Sequence, residues 1–351
     1  MRICYFNITK NIPTRDSVYL QGLKECGVEI IDIRDSSAGF KKFVNIYKRH
    51  KELKGVYDIL WVGYSAYILV PFARMISRKP VVFDGLLALY DGIIVSRKQA
   101  NVFSLKSLYC WLLDFLAFHL ATVSLIENNI QIEYISRKYF LSKKKLFMSW
   151  TGVDENDFFY DPTIPKLSDF TVIFRGGLLP DSGIEYFVEA AKILKDMDIK
   201  FRLIGDGLSA PKVEEILKTF DNKNFLWIRE RVAIEDLRKK MQESQLQVGW
   251  LTDEPRSWRS IEHKTFESLA LRLPFLHGRT PGVEELLKEG KTGFFCNNND
   301  AKDLANKILG LKNNPSLLSH VAEAGYRFFD EELRSKYLAK KVLDYLRTYH
   351  L

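Results

Sequence analysis

Short apolar segments alternate with amphipathic helical segments along the whole chain, and this alternation restricts the fold more than any other feature. In the N-terminal half, five segments have the length and the apolar content of buried strands, and a helical segment follows each of them. The predicted strands are Arg2–Phe6, Glu29–Ile33, Ile59–Gly63, Val81–Asp84 and Thr122–Ile126. Strands that alternate with helices form right-handed βαβ units on a parallel sheet. The N-terminal half is therefore predicted to be a doubly wound α/β domain.

The second half repeats the pattern after a segment at 156–168 that contains two prolines and little periodicity. Its predicted strands are Phe170–Phe174, Phe201–Ile204, Phe225–Ile228, Leu246–Gly249, Pro274–Leu276 and Gly293–Phe295. A chain of 351 residues has the length of two domains. We predict Rossmann-like domains at 1–160 and 161–330 that face each other across a cleft, followed by a helical segment at 331–351. Ligands of such domains bind beyond the carboxyl ends of the strands.

Composition excludes several other classes of protein. The hydrophobic fraction of 46% excludes a disordered chain. The four cysteines stand far apart, which provides neither a zinc site nor a disulfide framework and is typical of a reducing compartment. The sequence opens directly into a predicted strand, so no signal peptide is expected. The longest apolar stretch, Trp111–Ile126, contains Asp114 and His119 and is shorter than the ~20 residues of a spanning helix. We expect a cytoplasmic protein, either soluble or resting on a membrane surface.

The excess of positive charge lies entirely in the N-terminal half. The net charge of the chain is +8, and residues 1–150 contain 22 Lys and Arg against 12 Asp and Glu. The clusters are Lys41, Lys42, Lys48, Arg49, Lys51 and Lys54, then Arg74, Arg78 and Lys79, then Arg137, Lys138, Lys143, Lys144 and Lys145. Solvated helix faces remain one interpretation, but a one-sided excess favours an anionic partner. No nucleic-acid-binding motif accompanies the charge, so an anionic membrane surface is favoured over nucleic acid.

A glycine pair follows the first predicted strand of the second half. Gly176 and Gly177 come directly after Arg175, and Gly183 begins a helix a few residues later. Glycines at this place let a ligand approach the backbone and expose N–H donors that suit phosphate. A tight turn that needs glycine for a positive φ is the alternative interpretation. Gly205, in the turn after the next strand, has the same two interpretations.

A second candidate segment surrounds the helix that is predicted to begin at Lys264. Lys264 and Glu267 are three residues apart and lie on the same face of its first turn. A cation near the unpaired N–H groups of a helix start suits a diphosphate, and a nearby carboxylate suits the hydroxyls of a sugar. Arg259 and His263 precede the helix. His263 is interpreted as a polar cap. An ordinary amphipathic helix is the alternative interpretation for the whole segment.

Together these segments resemble the nucleotide-binding domain of retaining GT-B glycosyltransferases of family 4, a group 1 type found in microbes. The matching stretches occur in order as GIEYFVEA, RLIGDG, KTFESLALRLPFLHG, GVEELLKEGKTGFF and NDAKDLANKILGL. The N-terminal half is similar more loosely, through its opening strand and TGVDENDFF. The resemblance implies that the second domain binds a nucleotide-diphosphate sugar and the first supplies the acceptor side. It also implies that the final helix returns to the first domain.

The resemblance assigns roles to residues on this chain. Glu267 matches the carboxylate that binds the ribose hydroxyls. The backbone of Gly176–Gly177 and the helix start at Lys264–Thr265 match the diphosphate cradle, beside Gly205. Lys264 is our candidate for the main phosphate contact, and the resemblance implies a UDP- or GDP-linked donor.

The chain departs from the family pattern at several positions. Gly177 and Ser182 stand where the family has the Arg and Lys of a cationic clamp, and Arg259 replaces a glutamate that contacts the donor sugar. Asp84 occupies the region of a customary histidine. The cations left to compensate the diphosphate are Lys264, Arg259 and Arg15.

These observations lead to one functional prediction and two alternatives. We predict retaining transfer from a nucleotide-diphosphate sugar to a lipid-linked or glycan acceptor at the cytoplasmic membrane face, with no metal or other cofactor. Asp84 and Asp91 are the candidate catalytic residues because they could orient the reacting groups, and Glu127 is a weaker candidate. The alternatives are a non-catalytic partner subunit that has lost the clamp and a sugar-nucleotide epimerase. The presence of both Lys264 and Glu267 argues against a decayed site.

Overall fold

The computed structural model describes residues 1–348 and divides the chain into two compact units. Met1–Asp154 and the segment from Leu333 onward form unit 1, and Glu155–Glu332 form unit 2. Residues 349–351, at the end of the predicted segment 331–351, lie outside the described residues.

Unit 1 contains a sheet of six parallel strands in the order β2-β1-β3-β4-β5-β6. The strands are β1 (Arg2–Phe6), β2 (Glu29–Asp32), β3 (Ile59–Val62), β4 (Val81–Leu86), β5 (Val123–Ile126) and β6 (Leu146–Met148). Five of them were predicted. The sixth, β6, was missed because it has only three residues and follows three lysines, which leaves no apolar pattern to detect.

Helices cover both faces of this sheet. They are α1 (Thr14–Glu25), α2 (Lys41–Glu52), α3 (Leu69–Ile76), α4 (Leu105–Leu120) and α5 (Asn129–Lys138). The strand order and the right-handed crossover rule place α1 on one face and α2 to α5 on the other. The Ser104 side chain caps α4 by accepting a hydrogen bond from the Ser107 N–H. None of the helices within residues 1–348 has both the length and the apolar character needed to cross a bilayer.

Unit 2 contains a second parallel sheet in the order β12-β11-β10-β7-β8-β9. Its strands are β7 (Thr171–Arg175), β8 (Lys200–Ile204), β9 (Phe225–Ile228), β10 (Leu246–Val248), β11 (Phe275–Gly278) and β12 (Phe294–Cys296). Its helices are α6 (Ile184–Ile193), α7 (Ala210–Leu217), α8 (Ile234–Gln242), α9 (His263–Ala270), α10 (Pro281–Leu286), α11 (Ala301–Lys312) and α12 (Pro315–Phe328). The predicted pair of doubly wound α/β sheets is confirmed.

The proline-containing segment at 156–168 contains neither helix nor strand, and the structure groups it with unit 2. Some of its polar groups bond to carbonyls at the end of α8 and just after it. The Leu167 N–H donates to the Glu243 carbonyl at 2.8 Å, and the Lys166 ammonium donates to the carbonyls of Gln242 and Ser244 at 2.7 and 2.6 Å. These bonds hold an irregular backbone against the unit that follows it.

The last helix, α13 (Ser335–Thr348), packs against α1 in unit 1. The two helices approach so closely that a Cβ at Gly22 would lie 1.9 Å from the Ser335 carbonyl oxygen. Only glycine therefore fits at this position of α1. Farther along α13, the Tyr345 ring stacks on Phe147 with centroids 4.2 Å apart.

Candidate functional site

Two glycine turns meet at the carboxyl edge of the unit 2 sheet. β7 leads into Gly176 and β8 leads into Gly205, and both residues have a positive φ, of 133° and 138°. A Cβ on Gly205 would lie 2.0 Å from the Gly176 carbonyl oxygen. Glycine is therefore required by backbone conformation and by the close approach of the two turns. The structure brings these two predicted site residues together.

The two glycines after β7 differ in what their N–H groups do. The Gly176 N–H donates to the Ile204 carbonyl at 2.9 Å and continues the pairing of β7 with β8. Gly177 is exposed, and its N–H has no hydrogen-bond acceptor among residues 1–348. Of the two backbone donors proposed for a phosphate, Gly177 is thus the available one.

The N-terminal end of α9 carries a buried charged cluster. The Glu262 carboxylate accepts hydrogen bonds from the Trp250 N–H at 2.7 Å and from Nε2 of His277 at 2.8 Å. The Lys264 ammonium lies 4.0 Å from Glu262 and 3.4 Å from the centroid of the Phe174 ring. A separation of 4.0 Å is longer than a hydrogen bond, so the nearest carboxylate only partly compensates this ammonium.

Arg175 and Glu267 form an ion pair beside this cluster. Both side chains are largely buried, and Glu267 lies on α9 one turn after Lys264. Sequence reasoning did not single out Arg175 as a site residue. Its position directly before the glycine pair was the available signal. The pair places the Arg175 guanidinium next to the turn that contains Gly177 and Ser182, the two residues that replace the Arg and Lys of the cationic clamp.

Burial shifts the pKa values of this cluster. Burial lowers the pKa of Lys264 to about 7, since the opposing effect of Glu262 is smaller and Arg175 lowers it further. Burial likewise lowers the pKa of Arg175 to about 10. Burial alone would raise the pKa of Glu262, but His277 and Lys264 hold it at about 2. The cluster thus contains a firmly ionised carboxylate and an ammonium that is readily deprotonated.

The remaining predicted residues of unit 2 have different surroundings. Thr265 is fully buried in the first turn of α9, and Arg259 is half-buried in the segment that precedes it. Ser182 is also fully buried, and its hydroxyl donates to the Leu179 carbonyl at 2.6 Å. A neighbouring cation, Arg256, lies 3.0 Å from Asp181 and so stands close to Ser182, the residue that replaces the clamp lysine in the family resemblance.

In unit 1, the structure joins two residues that were predicted to have separate roles. The Arg15 Nε donates to Asp84 at 2.6 Å, and its Nη1 and Nη2 donate to the Ser149 carbonyl and hydroxyl at 3.1 and 2.7 Å. Both side chains of the ion pair are at most 1% exposed. Burial raises the pKa of the Asp84 carboxyl, and the Arg15 guanidinium opposes that rise. The catalytic role of Asp84 and the phosphate-binding role of Arg15 stay predictions.

Asp91 is also buried in unit 1. It accepts a hydrogen bond from the Tyr134 hydroxyl at 2.6 Å and lies 3.6 Å from the Lys138 ammonium. That ammonium stands 3.6 Å from the centroid of the Tyr90 ring. Glu127, the weaker candidate, accepts a hydrogen bond from the Thr151 hydroxyl at 2.8 Å. Every candidate carboxylate of unit 1 therefore has a hydrogen-bond or ion-pair partner within the unit.

Most of unit 2 matches a known family of sequences. Residues 169–314 match the family model of glycosyl transferases group 1. An uncharacterized glycosyltransferase of Methanocaldococcus jannaschii is 27% identical over 156 residues, which cover 44% of this chain and 42% of that protein. The alpha-D-kanosaminyltransferase of Streptomyces kanamyceticus is 25% identical over 155 residues, or 43% of this chain and 39% of that protein. The match spans about two-fifths of the length of these curated relatives.

Comparison with solved structures covers the whole chain. HepE of Anabaena, crystallised with UDP and glucose, has a TM-score of 0.71 at 17% identity and covers 99% of this chain and 100% of its own. Sucrose-phosphate synthase from Thermosynechococcus elongatus has a TM-score of 0.76 at 11% identity and covers 99% of both chains. At such low identity these likenesses describe the fold. They confirm the predicted GT-B architecture. The family match confirms the predicted resemblance to group 1 glycosyltransferases over residues 169–314.

Proposed function

We propose that this chain, in which residues 169–314 form a group 1 glycosyl transferase domain, transfers a sugar from a nucleotide-diphosphate sugar to an acceptor. The observation that carries the proposal is the charged cluster beside the exposed Gly177 turn. There Lys264 and Glu267 share one helix, with Arg175 against Glu267. The crystallised complex of the structurally similar HepE with UDP and glucose supports a UDP-linked donor.

In this proposal the ribose and the diphosphate of the donor have partners on unit 2. Glu267 binds the ribose hydroxyls, while Lys264 and the Gly177 N–H bind the diphosphate, beside Thr265 and Gly205. Lys264 is suited to this role because its ammonium is buried and its nearest carboxylate oxygen is 4.0 Å away. A phosphate oxygen would supply the missing anion. The same contacts stabilise the negative charge that develops on the leaving diphosphate, so we propose transfer without a metal or other cofactor. We propose retention at the anomeric carbon on the family resemblance alone.

We assign the binding of the acceptor to unit 1. We propose a lipid-linked or glycan acceptor at the cytoplasmic membrane face, met by the basic N-terminal unit. Asp84 and Asp91 are both buried, so we propose that they act by positioning Arg15 and Tyr134. Arg259 is the further cation that we place on the donor side.

A thermal-shift screen with UDP, GDP, ADP and TDP tests donor binding. A nucleotide at about 100 times its Kd is expected to stabilise the protein by roughly 2.7 kcal/mol and to raise Tm. Glu267→Gln, measured against its own baseline, is expected to lose that shift because a neutral amide accepts hydrogen bonds from the ribose more weakly. The control Glu215→Gln, at an exposed position of α7, keeps it. If no nucleotide raises Tm, the proposal fails and a non-catalytic partner subunit takes its place.

Donor binding is also expected to depend on pH through Lys264. Its pKa of about 7 in the free protein means that the ammonium is fully charged only below that pH. A bound diphosphate favours the charged form, so binding takes up a proton at higher pH. Affinity should fall by up to ~10-fold per pH unit above about pH 7. Titration calorimetry in two buffers of different ionisation enthalpy measures this uptake. Lys264→Arg is expected to remove it, and pH-independent binding by the wild type would contradict the prediction.

A further inference from the structure

The outer side of α4 carries a stripe of exposed apolar residues. Leu105, Leu108, Tyr109 and Leu112 are all exposed, and their spacing places them along one face of the helix. The preceding loop adds Phe103, which is 96% exposed. A long apolar stripe on the solvent side is the reverse of the usual pattern, in which the apolar face of a helix packs on the core.

The opposite side of α4 already supplies the contacts to the core of unit 1. Cys110, Ala117 and Phe118 are buried, and so is Asp114. Asp114 accepts hydrogen bonds from the Leu89 and Tyr90 N–H groups and from the Tyr139 hydroxyl. The outer stripe is therefore not needed for the packing of α4. Contiguous exposed apolar surface of this kind marks an interaction site.

The neighbouring helices α2 and α3 extend the surface. They lie on the same face of the sheet as α4, and the rings of Phe43 and Phe72 join them with centroids 5.3 Å apart. Val44 and Tyr47 are exposed along α2, as is Phe40 directly before it, and Met75 is 82% exposed on α3. We call the exposed side of α2, α3 and α4, together with Phe103, the outer face.

The charges on the outer face are almost all positive. The cations on the three helices are Lys41, Lys42, Lys48, Arg49, Lys51, Arg74 and Lys106. Their two acidic residues are Glu52 and Asp114, and Asp114 is buried beneath α4. Three of the cations alternate with the apolar residues of α2, since Lys41, Lys48 and Lys51 are exposed beside Phe40, Val44 and Tyr47. The outer face thus combines apolar side chains with one sign of charge.

A cavity of about 340 Å³ opens beside the stripe at the start of α4. Phe103, Leu108 and Trp111 form apolar walls, and Lys138 contributes an ammonium. The apolar walls suit the acyl chains of a lipid, and the ammonium at the side of the cavity suits the phosphate of its headgroup. It lies on the side of unit 1 that already exposes the apolar stripe.

We propose that the outer face docks on an anionic lipid bilayer, with Phe103 and the α4 stripe among the upper acyl chains and the α2 lysines at the lipid phosphates. This inference rests on the proposed function in one respect, because it names the membrane from which unit 1 meets a lipid-linked acceptor. Charge complementarity selects the bilayer over a second copy of the chain. Two copies paired through this face would bring like charges together, whereas anionic headgroups neutralise them.

Vesicle co-sedimentation tests the proposal with the full chain. Wild-type protein is expected to bind vesicles of phosphatidylcholine mixed with phosphatidylglycerol at least 10-fold better than vesicles of phosphatidylcholine alone. Lys41→Glu, Lys48→Glu and Lys51→Glu combined should lose that preference. Phe103→Ser, Leu105→Ser and Leu108→Ser combined should also weaken vesicle binding, because these side chains can then no longer insert among the acyl chains.

The single variant Phe103→Ser separates loss of insertion from misfolding, because this side chain is almost fully exposed. Leu208→Ser and Lys291→Glu, exposed in unit 2, are matched controls.

Several outcomes would overturn the inference. These are equal binding to both vesicle types, no binding to either, or a dimer in sedimentation velocity that the serine variants convert to monomer. The last result would assign the outer face to a second copy of the chain. The nucleotide thermal shift is measured on the same samples. An intact shift without vesicle binding rejects only the docking surface, whereas a missing shift in the wild type rejects the proposed function.

Discussion

Replacing Lys264 with methionine is expected to weaken the binding of a nucleoside diphosphate by roughly 10- to 100-fold, the equivalent of a lost hydrogen bond to a charged group. Methionine has a similar length and packs on the Phe174 ring, so the substitution removes the charge and little else. The ammonium is buried at a cost that is reflected in its pKa of about 7. Tm of the free protein should therefore stay level or rise, while the thermal shift by nucleotide becomes smaller.

Steady-state kinetics extend this prediction to the reaction. A cation that contacts the diphosphate in both the bound donor and the transition state contributes to KM, and one that meets new charge on the leaving group contributes to kcat. Lys264→Met should raise the donor KM and lower kcat. Lys291→Met, on the surface of unit 2, serves as the control. Wild-type kinetics in Lys264→Met would remove Lys264 from the donor site.

Replacing Glu262 with alanine is expected to lower the free energy of unfolding of unit 2 by about 3–5 kcal/mol, the usual effect of removing one partner from a buried ionic group. The Trp250 N–H and the His277 ring lose their acceptor, and Lys264 loses its nearest carboxylate. Denaturant unfolding monitored by circular dichroism measures the change. Glu215→Ala, at an exposed site, should remain within about 0.5 kcal/mol of the wild type. A comparably small effect at Glu262 would show that the cluster does not support the fold.

The pH dependence of stability supplies an independent check on Glu262. Its pKa in the folded protein is about 2, below the ordinary glutamate value of 4.5. A carboxyl with a lowered pKa stabilises the folded state at pH values above the ordinary pKa, and this contribution is lost as pH falls towards about 2. The alanine variant should therefore lose less stability than the wild type between pH 4.5 and about 2.

The architecture was predictable because its signals are local. Each strand of the two sheets is a short apolar segment, and each is followed by a helix with its own apolar periodicity. The exception, β6, shows the limit of this method. Leu146–Met148 becomes a strand by pairing with β5. Three residues after a run of lysines carry no local pattern that predicts this pairing. Parallel pairing between distant segments supplies what local propensity does not.

The candidate site was predictable in part for the same reason. Gly176, Gly205, Lys264 and Glu267 stand at the ends of predicted elements, where ligands of α/β sheets bind. Their partners were not predictable. Arg175 was noted only as the residue before the glycine pair, and nothing near it in the sequence points to Glu267.

The burial of charged side chains was a second property that the sequence pattern could not predict. Asp84 and Arg15 received separate roles because each stands near the end of a different element. The fold joins them in one buried ion pair.

Periodicity and glycine placement thus specified the two α/β units and their turns, since these depend on residues close together in the chain. The count of charged residues specified the excess of positive charge in the N-terminal half. Tertiary structure decided which charges meet. It placed Glu262 between His277 and Lys264, and it turned the apolar stripe of α4 outward. The physical reason is that ion pairing and desolvation depend on distances between side chains from separate elements. Those distances exist only once the strands have taken their order in the sheet.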